Sequence, residues 1–380
     1  MRRAVVFLLL LTGCAAAPSR LTVGSPSPPG WTGTWAAAVQ GGGRPFDDQT
    51  LRQVVHTSIG GYAARLHLTN EFGDRPLTIG SATIGAALRV TFGGRPSVTI
   101  PAGGTAVSDE AAFVVPADAD VTVSLYLPAA TGPGTRHAVA SRHNLVAAGD
   151  QVFATELTGA RTEKSWYFLS GLDVRGGDGA IVAFGASITD GLGSPFGGDR
   201  RWPDLLSDRL RASGREIGVL NTGLSGNRLT ADDHGERAPA RFDRDVLRRA
   251  GVRWVIISDD AINDLGAADP PMVDRITGSL RELTTRARAA GVRAICSTLT
   301  PFQGAGYWTD RAESGRVAVN AFLRSADSGC DAVLDQDLAT RDPDRPARLL
   351  RRYDSGDHLH PSAAGLAAIA DAVDLDWFTD

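Results

Sequence analysis

Two stretches far apart in this 380-residue chain hold groups able to do nucleophilic chemistry. The first is Phe184-Gly185-Ala186-Ser187-Ile188-Thr189-Asp190-Gly191, directly after the apolar run Ala180-Ile181-Val182-Ala183. A short β-branched run that breaks at glycine reads as a strand feeding a tight loop. A serine there sits at the carboxyl end of a strand, where open α/β sheets hold their ligands. The second is Asp357-His358-Leu359-His360-Pro361. A serine hydroxyl needs a base to become a nucleophile at neutral pH. His360 is the best placed of the seven histidines, because Asp357 stands three residues before it. One carboxylate can hold the Nδ1 proton and leave Nε2 free to take the serine proton. Alone, His360 would read as a surface-loop histidine and Ser187 as an ordinary Gly-x-Ser turn. Together they describe a nucleophile, its base and an orienting acid.

The elements that must carry these groups fall into two kinds. From residue 31 to about 166 strand signals dominate. Ala64-Arg65-Leu66-His67-Leu68-Thr69 and Val121-Thr122-Val123-Ser124-Leu125-Tyr126-Leu127 both alternate with period two, as half-buried strands do. Short strands separated by glycine turns predict a β-sandwich or jelly roll over 31–175. Beyond that, strand candidates at 180–184, 217–220, 254–258, 294–299 and 332–334 alternate with helical patterns. Val273, Ile276, Leu280 and Leu283 form the apolar stripe of one helix, which Gly291 closes. A further helix is expected over 363–375. Strand–helix alternation implies a parallel sheet covered on both faces, so 176–380 reads as a flavodoxin-like three-layer α/β domain.

With Gly226 and Asn263 added, these residues resemble the four blocks of the SGNH hydrolases, the GDSL-type esterases and lipases. The resemblance runs over roughly residues 178–376. Residues 31–175 also resemble the β-rich region of one secreted bacterial branch, on Trp31-Thr32-Gly33-Thr34-Trp35 and Asp48-Gln49-Thr50-Leu51-Arg52-Gln53. The resemblance implies a serine esterase in which Ser187, Asp357 and His360 are catalytic. It implies an oxyanion hole made by the N–H groups of Ser187 and Gly226 and by the Asn263 amide. Its substrates would be short-chain esters, acetylated glycans or lipids; an acyltransferase, or a non-catalytic glycan-binding lipoprotein on a degraded site, are the alternatives. Phe196, Tyr307 and Trp308 belong to loops expected to rim the site, and Trp202 reads as a packing residue at a helix start.

Two departures from the family pattern stand out. Ala186 occupies the middle of the Gly-Asp-Ser block, where an Asp would brace the turn, and Ala261 replaces Gly in Gly-x-Asn-Asp. Ala261 matters if that position needs positive φ or close backbone approach, and costs little at negative φ. Asp259 and Asp260, straight after an apolar strand, are expected to lie solvated beyond its end; the other reading has one of them bearing on the active site.

The remaining features bound location and partners. Arg2 and Arg3 precede the apolar run 4–11, and Leu11-Thr12-Gly13-Cys14 follows, the pattern of an export signal with a resemblance to a lipoprotein lipobox. The expectation is a leader over 1–14, lipid attachment at Cys14 and membrane anchoring, with a plain secretory signal as the other reading. A Pro/Ser/Gly tether spans 15–30. Without Arg2 and Arg3 the basic count falls from 39 to 37 against 43 acidic residues, a balance that argues against nucleic acid as a partner. Export would leave Cys296 and Cys330 where a disulfide persists; two small buried hydrophobes is the equal alternative. No catalytic metal and no nucleotide cofactor is expected, since no ligand spacing and no phosphate-cradling glycine loop with its lysine is present.

Overall fold

The structure is a computed structural model that describes residues 30–267 and 272–379. The leader with Cys14, and all of the tether but Gly30, lie outside the described residues.

The first half is a sandwich of antiparallel sheets. A four-stranded sheet orders Trp31–Ala36, Leu169–Arg175, Ala64–Thr69 and Thr105–Val107. A six-stranded sheet orders Arg161–Glu163, Asn144–Ala148, Gln49–Thr57, Ala119–Leu127, Ser81–Ile84 and Leu88–Val90. Period-two alternation turns Leu66, Leu68, Leu172 and Val174 of one sheet toward Leu51, Val55, Val123 and Leu125 of the other, and these share one core.

The second half is a five-stranded parallel sheet built from β1 (Gly179–Gly185), β2 (Ile217–Gly223), β3 (Val252–Ile257), β4 (Arg293–Ser297) and β5 (Ala332–Leu334), in the order 2-1-3-4-5. That is the flavodoxin-like order. Every residue of β1 is buried, as a central strand between helical layers requires. Helices α1 (Ser187–Asp190), α2 (Trp202–Ala212), α3 (Ala238–Phe242), α4 (Asp260–Ala267), α5 (Val273–Ala289), α6 (Asp310–Leu323), α7 (Gln336–Thr340) and α8 (Ala363–Asp371) fill the connections. The α5 stripe Ile276, Leu280, Leu283 and Ala287 faces the core. At α2, Pro203 stands in the first turn, Asp204 accepts the Arg201 N–H, and Trp202 is fully buried, as a packing residue should be. The expected helix over 363–375 ends at Asp371, and a 3₁₀ turn at Leu375–Phe378 follows.

The two halves meet along β2, an edge strand that would otherwise expose unpaired backbone. Strand Trp31–Ala36 lies over it. A Cβ on Gly33 would stand 2.7 Å from Leu220 Cδ1, and one on Gly218 would stand 2.1 Å from the Gly33 carbonyl oxygen. Only glycine allows that approach. Ser58 then accepts the Val219 N–H at 3.0 Å, tying the sandwich to the sheet.

Cys296 at the end of β4 is bridged to Cys330, just before β5. The bridge closes a separation of 34 residues, which on loop-closure entropy contributes about 3–4 kcal/mol. Cys296→Ala with Cys330→Ala should lower the urea-unfolding free energy by about that amount. Reductant should destabilise the native protein and leave the double variant unchanged.

Candidate active site

The carboxyl end of β1 delivers the serine. The chain turns at Gly185 and Ala186, and Ser187 opens α1 with 7% of its surface exposed. Its Oγ lies 2.8 Å from His360 Nε2. The His360 Nδ1 lies 2.6 Å from Asp357 Oδ2. The other carboxylate oxygen, Oδ1, accepts the backbone N–H groups of Leu359 at 3.0 Å and His360 at 2.8 Å. A short loop thus sets acid and base in one turn, ahead of α8, whose N-terminus Ser362 caps. Partial burial opposes charge on Asp357. The bonds from the His360 ring and from the two backbone N–H groups outweigh it and lower the carboxyl to about 2. An ionised Asp357 holds the proton on Nδ1, so Nε2 faces Ser187 as the acceptor.

The turn that carries Ser187 is held by Asp259. The Asp259 carboxylate accepts the N–H of Ala186 at 3.1 Å, the N–H of Ile188 at 2.8 Å and the hydroxyl of Thr189 at 2.6 Å. Asp259 and Asp260 are buried, with 3% and 1% exposed, so the expectation that they lie solvated beyond the strand is overturned. The physical reason is direct: the buried donors of the nucleophile turn need an acceptor, and Ala186 has none to offer. The bracing that the first block lacks comes from the end of β3.

Asp260 faces Arg241 instead. That guanidinium is fully buried over the Phe184 ring, bonded to Asn227 Oδ1 and to the carbonyls of Thr222 and Gly185, and 3.3 Å from both Asp245 and Asp260. Burial raises the Asp260 carboxyl, Arg241 opposes, and nearby Asp259 and Asp264 add to the rise, leaving it pushed up to about 7. Ala261 lies within helix α4, so no positive φ strains it.

The loop after β2 and the first turns of α4 after β3 bring Gly226 and Asn263 to the same end of the sheet. Leu224 N–H donates to the Gly185 carbonyl at 2.9 Å, which lays the β2 loop on the nucleophile turn. The Asn263 amide donates to the Asn227 carbonyl at 2.8 Å, and Asp264 accepts the N–H groups of Leu229 and Thr230. Gly226 has φ +82°, and a Cβ there would stand 2.6 Å from His234 Cγ. Among the described residues, the Ser187 and Gly226 N–H groups donate to no protein acceptor. Such groups, with the second hydrogen of the Asn263 amide, can stabilise a developing oxyanion.

The residues expected at the rim divide. The Tyr307 hydroxyl comes within 3.5 Å of Asn263 Oδ1, and burial, then Asp259 and Asp357, keeps it protonated by raising it. Trp308 packs on the α/β core. Phe196 is half exposed and turns to the sandwich, against His143 and Lys164. Arg241 and the buried pair His137–Asp190 are functional candidates that sequence reasoning missed, whereas Asp259 is the member of the acidic pair that bears on the active site, as the second reading of that pair had it. Among the described residues one group, His56, Asp120 and Asp199, has metal-ligand spacing. The Arg142 guanidinium already pairs with both aspartates there, which makes it an ion-pair cluster.

A search of curated proteins gives no match to this chain. Among solved structures, the acetylxylan esterase Axe2 from Geobacillus stearothermophilus is similar at 22% identity and TM-score 0.38, over 52% of this chain and 93% of that one. The psychrotrophic esterase EstA from Pseudoalteromonas sp. is 19% identical with TM-score 0.40, over 51% and 94%. A GDSL-like lipase from Bacteroides thetaiotaomicron VPI-5482 is 18% identical with TM-score 0.38, over 51% and 84%. Residues 183–368 match the GDSL-like Lipase/Acylhydrolase family. That match begins within β1, ends within α8 and takes in Ser187, Gly226, Asn263, Asp357 and His360. The α/β half of this chain belongs to the GDSL-like lipase/acylhydrolase family, which supports an ester hydrolase in general.

Proposed function

We propose that this protein is an exported serine esterase that works through an acyl-enzyme on Ser187. The observation that carries the reading is the continuous chain from Ser187 Oγ through His360 to Asp357, with bonds of 2.8 and 2.6 Å. Ser187 Oγ attacks the ester carbonyl carbon while His360 Nε2 takes its proton. The carbonyl oxygen gains charge and is met by the N–H groups of Ser187 and Gly226 and by the Asn263 amide. The imidazolium returns its proton to the departing alcohol, and the same base then draws a proton from the water that hydrolyses the acyl-enzyme. Short-chain esters, including acetate on glycans, suit this reading. Export, with a lipid on Cys14 or without one, is supported by the Cys296–Cys330 bridge, since such bonds persist in oxidising compartments.

The rival, a non-catalytic glycan-binding protein on a degraded site, rested on Ala186 and Ala261. The Asp259 contacts and the helical setting of Ala261 remove its motive. The test is hydrolysis of short-chain p-nitrophenyl esters, with an alkyl fluorophosphonate to trap the nucleophile. Turnover, and a phosphonate adduct mapped to Ser187 by peptide mass spectrometry, are expected. Absence of both would overturn the proposal.

A further inference from the structure

His137 ends the strand Gly134–His137 of the sandwich and is 2% exposed. Its Nδ1 lies 2.7 Å from the Ala38 carbonyl oxygen. Its Nε2 lies 3.0 Å from Asp190 Oδ1 and 3.1 Å from the Val139 carbonyl oxygen. A carbonyl can only accept, and so can a carboxylate, so a fully satisfied ring carries a proton on both nitrogens. The far side of Asp190 is equally committed: Oδ2 accepts the Ser225 N–H at 3.1 Å and also the Ser225 hydroxyl. Asp190 closes the α1 turn that Ser187 opens, and Ser225 immediately precedes Gly226.

We propose that His137 is a positioning residue for ester hydrolysis: a buried imidazolium that aims Asp190, through which the sandwich clamps the Ser225–Gly226 loop onto the nucleophile turn. This rests on the esterase reading above. It makes the β-region a working part of the α/β site, since a residue at position 137 reaches across to position 190. Oxyanion donors act only when held in place before charge develops, and a loop tied at Ser225 holds the Gly226 N–H.

The other groups facing the ring fit this role. The Trp166 ring lies 5.5 Å away. Arg201, whose charge also acts on the ring, is taken up by Asp204 at 2.8 and 2.9 Å. Burial opposes a charged His137, and Arg201 adds a smaller opposing effect. The Asp190 carboxylate and the Ala38 carbonyl outweigh both and raise its pKa. The sign follows: a raised folded-state value gives stabilisation that is full below the ordinary histidine range and is lost as pH rises through the folded value.

The experiment uses the full chain and three variants: His137→Gln, Ser225→Ala and the two together. Each single change should lower kcat about tenfold, the scale of a slightly misplaced donor, with KM held within about twofold. The double variant should lose no more than the worse single, because both cut one link. Wild-type kcat should decline as pH rises above the ordinary histidine range, with a limb that His137→Gln lacks. Nitrogen-15 NMR of the native protein should show both His137 ring nitrogens protonated at neutral pH. A neutral ring, single variants within about twofold of wild type, or losses that multiply in the double variant would each overturn the proposal. If His137→Gln does not fold, Ser225→Ala and the spectrum still decide. Failure of the esterase reading would look different, as a native protein with neither ester turnover nor a phosphonate adduct on Ser187.

Discussion

Ser187→Ala should lower kcat by a factor on the order of 10⁶, and Asp357→Asn by one on the order of 10⁴, both with KM little changed. The first change removes the attacking atom and leaves only binding and the oxyanion donors. The second is subtler and follows from the loop's own hydrogen bonds. The N–H groups of Leu359 and His360 both point at Asp357 Oδ1, so an asparagine must put its carbonyl oxygen there. Its NH₂ then faces His360 Nδ1, and a donor in that place forces Nδ1 to accept. The ring proton moves to Nε2, which now points N–H at Ser187 and no longer serves as a base. Circular dichroism and melting should show a folded protein, because the turn keeps its acceptor. The native protein adds a pH test. Asp357 titrates at about 2, below the ordinary carboxylate range. Its contribution is therefore full above that ordinary range and is lost only as pH falls toward about 2. Loss of activity in mildly acid solution will not be Asp357 taking up a proton. An Asp357→Asn enzyme within tenfold of wild type would mean that His360 is oriented by something else.

Local signals make much of this legible in the sequence alone. Strands at 180–184, 217–220 and 332–334 lie within β1, β2 and β5 because continuous apolar runs bounded by turns have few other solutions. The Asp357–His360 turn could be read because its partners are three residues apart. What escaped, or stayed open between two readings, has long sequence separation in common. Asp259 meets the nucleophile turn across 71–73 residues, and His137 meets Asp190 across 53. Nothing in a one-dimensional pattern says that both adjacent aspartates turn inward, or which of them takes the nucleophile turn and which takes Arg241. A signal did exist: an acidic pair abutting an apolar strand, in a chain whose first block lacks its aspartate, is an acceptor in search of donors. Cys296 and Cys330 were equally open, because strand adjacency permits a bridge without requiring one. Arg241 gave no sign at all, since a helix-borne arginine is ordinarily solvated.

Asp259→Ala should disable the site about as thoroughly as loss of an oxyanion donor, with kcat down on the order of 10²–10³. The carboxylate holds three buried donors, and its removal leaves two backbone N–H groups and a hydroxyl without an acceptor. Each such orphan costs about 1–3 kcal/mol, so the variant should also lose several kcal/mol of stability. A nucleophile turn without its brace relaxes to satisfy those donors elsewhere. Ser187 Oγ and its own N–H, which flank that turn, then leave the geometry that His360 meets at 2.8 Å. The ground state binds much as before, so KM should move less than kcat. The informative partner is Ala186→Asp, which restores the family's usual residue. Position 186 is fully buried, its N–H is already bonded to Asp259, and Asp260 stands next along the chain. A second carboxylate there meets like charge at a buried position, where solvent screens it poorly. Ala186→Asp alone should therefore destabilise the protein and depress activity. Were Ala186→Asp to raise kcat and leave stability intact, Asp259 would not be the brace, and the bonds it accepts would be packing without consequence for catalysis.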